Sequence, residues 1–154
     1  ASLHMSQLAK KEGYTQVLWL DACEHRYIEE VGTSNIFFRI NDRLITPPLG
    51  GSILGGITRN SVIALARSWE IDVEERPITI DEVIAAGGDG TLQEVFGTGT
   101  AAVISPVGEL FYKGVSHVVN GGRTGEVAAR LYEELQAIQR GYREDPFKWT
   151  VRVG

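Results

Sequence analysis

An α+β fold with a barrel-like mixed sheet and surrounding helices is the architecture this sequence predicts. Three observations carry that expectation. Most β-prone segments follow one another through hairpin-length turns. Helical periodicities are few and lie apart from one another, unlike a regular β-α-β-α series. Eighteen glycines cluster at 49–56, 87–90, 97–99 and 121–125, where they punctuate the pattern.

The elements follow in order. "TQVLWLDA" (15–22) is apolar and β-prone and predicts a strand. "RYIEEV" (26–31) and "NIFFRIN" (35–41) predict two more, separated by Gly32-Thr33-Ser34. "DRLITPP" (42–48) reads as the return arm of a hairpin turning at Asn41-Asp42. From Ile57 to Glu70, Val62, Leu65, Ala66 and Trp69 recur at helical spacing. "VEERPI" (73–78) returns as a strand, and Thr79-Ile80-Asp81-Glu82 is a capping-box pattern that opens a short helix through Ala86. "EVFGTGTAAVISPV" (94–107) reads as strand, glycine turn, strand, and "ELFYKG" (109–114) extends the sheet. Gly125 to Gln139 carries Val127, Leu131, Leu135 and Ile138 on one helical face, with Gly141 to end it. "FKWTVRV" (147–153) predicts a terminal strand.

Composition narrows the function classes. A chain of 154 residues with 43% apolar and 23% charged residues suits one ordered domain. The net charge of −5 argues against a nucleic-acid or membrane-surface binder, whose footprint is basic. No apolar run approaches the ~20 residues of a membrane span. No signal-peptide pattern opens the chain, so the expectation is a cytoplasmic protein. The single Cys23 excludes an internal disulfide and is expected to be a packed thiol. His4, His25 and His117 are scattered without ligand spacing, which predicts surface histidines and no metal site.

Three stretches could carry chemistry. In "SILGGITRN" (52–60), Ile57 and Thr58 open a helix whose first N–H groups have no helical partner. With the helix dipole, such a terminus attracts a phosphate; the plainer alternative is a sharp loop with Thr58 as an N-cap. "FGTGTAA" (96–102) can turn several N–H groups and two hydroxyls towards an anion, or can simply be a hairpin turn. In "YIEEVGTSN" (27–35), alternation places Glu29 and Glu30 on opposite faces, so one carboxylate points inward. That carboxylate could hold a protonated ring nitrogen, or it could form a salt bridge at the sheet surface.

Together, "YIEEVGTSNIFF", "TPPLGGSILGGITR" and "EVFGTGTAAVISPV" resemble the C-terminal large domain of branched-chain amino-acid aminotransferases, fold-type IV pyridoxal-phosphate enzymes. The likeness runs from about Gly13 to Val153 and includes "VLWLD", "VEERPI" and "IQRG". D-amino-acid aminotransferases and aminodeoxychorismate lyases share the fold with less of this wording. The resemblance implies that Glu30 keeps the cofactor's pyridine nitrogen protonated and that Leu54 packs on its ring. It implies that Ile57, Thr58 and Thr100 bind the phosphate, and that the amides of Thr100 and Ala101 receive a substrate carboxylate.

Departures from the family pattern are also legible. Gly55 stands where the family has proline, Ser34 where it has methionine or glutamate, Asn60 where it has aspartate, and Gly50 where it has asparagine or aspartate. Gly55 is expected to loosen the loop before the helix. Aligned without a gap at Ala1-Ser2-Leu3, the family's Schiff-base lysine falls just before residue 1. Lys10, Lys11, Lys113 and Lys148 do not match its position. The expectation is therefore an isolated or engineered large domain (13–154) with a partial cofactor cup. Residues 1–12 are expected to be either a cloning scar or the remnant of a helix. The ancestral reaction is amino transfer from branched-chain amino acids to 2-oxoglutarate, expected to be weak or lost in the chain as given. The alternatives are a non-catalytic scaffold domain and a small active enzyme with a relocated lysine. The partners implied are a small-molecule substrate or cofactor and, through the remaining surface, a homodimer.

Overall fold

Alternation along residues 35–46 decides the centre of the fold, because both faces of these strands are apolar. Such strands must be covered on both sides. The computed structural model describes residues 2–151 and residue 153. Its elements are α1 (Ser2–Lys11), β1 (Leu18–Leu20), β2 (Ile28–Val31), β3 (Asn35–Ile40), β4 (Arg43–Thr46), α2 (Ile57–Ser68), β5 (Val73–Glu75), α3 (Ile80–Asp89), β6 (Leu92–Gly99), β7 (Val103–Pro106), β8 (Glu109–Tyr112), β9 (Val115–Val118) and α4 (Glu126–Gln139). A single 3-10 turn, Asn120–Gly122, precedes α4.

The central sheet has five strands in the order β5-β4-β3-β6-β7. Only the β4–β5 pair is parallel. Two separate two-stranded ribbons, β1–β2 and β8–β9, flank it. The α+β class is as the sequence predicts; the sheet is open and does not close into a barrel. On one face Phe37, Leu44 and Phe96 pack against Val62, Leu65 and Ala66 of α2 and Leu131 and Leu135 of α4. Phe37 and Phe96 are directly paired in register and stack with centroids 5.4 Å apart. On the other face Ile36, Phe38, Ile45 and Val95 pack against Ile80 and Val83 of α3 and Leu110 of β8. Burying each large side chain contributes about 1.5–3 kcal/mol, so the two layers together fix the register.

Local chemistry explains most boundaries. Asn41 and Asp42 both have positive φ, 49° and 62°, as a tight hairpin turn requires. Thr79 caps α3, accepting the Glu82 N–H at 3.1 Å. The capping box is only half formed, because the Glu82 carboxylate turns to Arg76 at 2.6 Å. Gly90, at φ 82°, ends α3 in the left-handed conformation.

Some expectations give way. Residues 147–151 form no strand, because Asp145 takes their amides: Phe147 N–H and Thr150 N–H donate to its carboxylate at 3.1 and 2.7 Å. An amide used there is lost to a sheet ladder. β9, unread in the sequence, pairs with β8 through Tyr112↔Val115 and three further pairs. Cys23 is exposed, not packed; its N–H donates to Asp21 Oδ2 at 3.1 Å within a turn organised by that carboxylate.

Candidate functional site

The ends of β2, β3 and β6 meet the N-terminus of α2 at one edge of the central sheet. Asn35, the first residue of β3, pairs with Thr98 of β6. It is buried, and its Nδ2 donates to the carbonyl of Leu54 at 2.8 Å. Its Oδ1 faces Gly56, where an added Cβ would lie only 2.3 Å away. Glycine is required there by close approach. The loop 47–56 is thereby drawn over the sheet edge.

The same loop engages both glutamates of β2. Leu54 N–H donates to Glu30 Oε1 at 3.1 Å, and Ser52 Oγ donates to Glu29 Oε1 at 2.6 Å. Alternation predicts one inward carboxylate. Instead both are half-buried and both reach the loop, and among the described residues neither makes a salt bridge. Leu54 and Ile57 project from this edge at 76% and 85% exposure. These are large apolar side chains with little protein over them.

Gly56 is the N-cap of α2, in extended conformation and with no side-chain cap. The first backbone bond of the helix is Asn60 N–H to Gly56 carbonyl at 3.1 Å, so the N–H groups of Ile57, Thr58 and Arg59 precede the helical ladder. Thr58 lies inside the helix and is not its N-cap, which removes the plainer reading of that residue. α4 provides the internal contrast. Its N-terminus is filled by the buried carboxylate of Glu94, which accepts from Val127 N–H at 3.0 Å and Ala128 N–H at 2.9 Å. Gly125 makes room for it, since an added Cβ would meet Glu94 Cδ at 2.0 Å. Among the described residues no side chain does for α2 what Glu94 does for α4.

Thr100 and Ala101 occupy the exposed turn between β6 and β7, as the sequence predicts. That turn ends at Val103, whose φ of 59° is left-handed. A β-branched residue held there stores about 1–3 kcal/mol of strain. Just before the turn, Thr98 is 2% exposed, and its Oγ1 has no partner among the described residues.

Arg59 was not singled out by sequence reasoning. It is the largest fully buried side chain, 1% exposed, in the first turn of α2. Its Nη2 donates to the Pro47 carbonyl at 3.0 Å and to Glu75 Oε2 at 3.0 Å. Asn35 and Glu94 were also missed. A polar residue inside an otherwise apolar strand is the signal that could have found Asn35 and Glu94; Arg59 sits in the largely polar first turn of α2 and carries no such signal.

Comparison with known proteins gives this arrangement a family. A model of amino-transferase class IV matches residues 1–110. The chain belongs to the class IV aminotransferases. Within that family it is 57% identical over 153 residues to branched-chain-amino-acid aminotransferase 2 of Bacillus subtilis, covering 99% of this chain and 42% of that protein. It is 44% identical over 153 residues to the chloroplastic branched-chain-amino-acid aminotransferase 3 of Arabidopsis thaliana, covering 99% and 36%. Among solved structures, the branched-chain amino acid aminotransferase from Escherichia coli superposes with a TM-score of 0.79 at 33% identity, over 96% of this chain and 46% of that one. A branched-chain aminotransferase from Thermoproteus uzoniensis, solved with norvaline, gives 0.79 at 32% identity over 96% and 45%. This class IV aminotransferase chain thus spans less than half the length of the relatives it matches. Among its described residues no helix is long and apolar enough to cross a membrane.

Proposed function

We propose that this chain forms the cofactor- and carboxylate-binding face of a branched-chain amino-acid aminotransferase, acting with pyridoxal phosphate. The reaction is amino transfer from a branched-chain amino acid to 2-oxoglutarate. The supporting observation is the convergence of Glu30, Leu54, the uncapped N-terminus of α2 and the Thr100-Ala101 turn at one sheet edge. Residues 13–154 form the body of this large domain. The reading extends to a homodimer in the cytoplasm.

The residues fit the cofactor. A phosphate needs several N–H donors at once, and the first turn of α2 supplies them with the positive end of a helix dipole. Gly56 lets Asn35 approach and so sets the loop beside that terminus, and the buried Thr98 hydroxyl at the same edge has no partner among the described residues. Pyridoxal phosphate, when bound, supplies an electron sink for charge developing at a substrate α-carbon.

The protein's own part follows from its groups. The Glu30 carboxylate, oriented by the Leu54 N–H, holds the proton on the pyridine nitrogen. Leu54 covers a ring face and excludes water from it. The N–H groups of Ile57 and Thr58, the Thr58 hydroxyl and Thr100 bind the phosphate. The amides of Thr100 and Ala101 receive the substrate carboxylate. Branched-chain substrates are the choice because the similar proteins carry that name over 99% of this chain.

Isothermal titration with pyridoxamine 5′-phosphate and with pyridoxamine tests the reading. The amine forms of the cofactor avoid adventitious reaction with surface lysines. Preference of about tenfold or more for the phosphorylated compound is expected, since several charge-assisted hydrogen bonds distinguish the two. Equal binding, or none, contradicts it.

A further inference from the structure

Arg59 occupies an electrostatically costly place. A cation in the first turn of a helix opposes the helix dipole, and burial removes the water that would screen it. The observed contacts show what the guanidinium does there. It reaches back to the Pro47 carbonyl, at the start of the loop 47–56, from the helix that begins where the loop ends. It also reaches Glu75 at the end of β5. One buried group therefore ties the loop's entry, its exit and the edge strand together. The Leu54 end of the loop is held separately, by Asn35 and Glu30.

The charge is incompletely matched. Among the described residues Glu75 is the only carboxylate in hydrogen-bond contact with Arg59, and its other oxygen accepts from Arg67 at 3.2 Å. Two guanidiniums thus share one carboxylate. Arg67 is half-exposed and screened by solvent, whereas Arg59 is buried. Arg59 Nε is buried and has no partner among the described residues. The arrangement leaves part of the guanidinium charge uncompensated in the first turn of α2, the turn that carries the N–H groups of Ile57 and Thr58.

We infer that Arg59 is a positioning residue for the anion cup: it fixes the loop 47–56 against the mouth of α2 and biases that mouth towards phosphate-bearing ligands. The inference rests on the functional reading above. It goes beyond that reading by assigning the selectivity to a residue that need not touch the ligand.

The test uses the full chain as wild type, R59M, R59K and R67M. Each is titrated with pyridoxamine 5′-phosphate and with pyridoxamine, melted thermally, and probed by amide hydrogen exchange. R59M is expected to bind the phosphorylated compound about tenfold more weakly while its affinity for pyridoxamine stays within about twofold. R59K, which keeps the charge but loses the planar fork, is expected to lose about threefold on the phosphorylated compound. R67M is expected to match wild type, because its charge is screened. Exchange of the amides in 49–53 should rise in R59M and R59K while that of 61–66 stays protected. A generally structural role would instead lower the melting temperature and weaken both ligands alike, and that result overturns the inference. If R59M does not fold, R59K decides: unchanged phosphate preference and unchanged loop exchange overturn it. If wild type binds neither compound, the functional reading falls, and the exchange measurement alone decides whether Arg59 holds the loop.

Discussion

Glu30 and Leu54 are joined by a hydrogen bond in which the Leu54 amide donates to the Glu30 carboxylate at 3.1 Å. The bond orients a carboxylate and locates an exposed apolar side chain in one contact. E30Q keeps an acceptor for that amide but removes the charge. Affinity for pyridoxamine 5′-phosphate should fall by about tenfold, the difference between a charge-assisted and a neutral hydrogen bond to the ring. Titration calorimetry reads the loss. Thermal melting should show E30Q within a few degrees of wild type, about the effect of 0.5 kcal/mol or less.

G55P should stabilise the fold. Gly56 N–H donates to the Leu54 carbonyl at 2.9 Å, so Gly55 is the centre of a three-residue turn. Gly55 is absent from the positive-φ glycines, which makes this the inverse form with φ near that of proline. The gain expected from a restricted unfolded chain is about 0.4–1 kcal/mol. Urea unfolding measures it as a higher midpoint at constant slope.

E94A should be far more damaging. It empties the N-terminus of α4 and leaves Arg39 with Asp42 as its one remaining carboxylate among the described residues. A loss of about 2–3 kcal/mol is expected, from the lost acceptor at the helix N-terminus and from an Arg39 that is only partly recompensed by Asp42 and solvent. Denaturant unfolding checks the magnitude. A loss below about 1 kcal/mol contradicts the role given to this carboxylate.

Acid should erode the turn at Asp21. Its carboxylate accepts four amides, those of Cys23, Glu24, Arg26 and Tyr27, at 2.6–3.1 Å. The amide bonds from Glu24, Arg26 and Tyr27, with a smaller one from Cys23, hold its carboxyl well below the ordinary carboxylate range. A depressed folded value stabilises the protein above the unfolded pKa of about 3.9. That stabilisation is lost as the pH falls towards the folded value. D21N should melt below wild type at neutral pH, and the two melting temperatures should converge below about pH 4. A gap that stays constant down to about pH 2 contradicts this.

Local chemistry was legible in the sequence, and distant pairing was not. The Thr79 cap, the Asn41-Asp42 hairpin and the start of α2 at Ile57 each depend on residues within four positions. The meeting of three motifs at one sheet edge was legible only through resemblance. Asn35, Arg59 and Glu94 act on partners 19, 12 and 33 residues away, and no local pattern encodes such contacts. "FKWTVRV" alternates like a strand, yet Asp145 claims its amides first. β9 was hidden because Ser116 and His117 interrupt its apolar pattern.

The most direct test of the central claim is amide chemical-shift mapping of the labelled chain during titration with pyridoxamine 5′-phosphate. The account predicts shifts concentrated at Leu54, Ile57, Thr58, Thr100 and Ala101, with the α4 N-terminus at Val127 and Ala128 unmoved. Shifts centred on α4, or none at this edge, would contradict it.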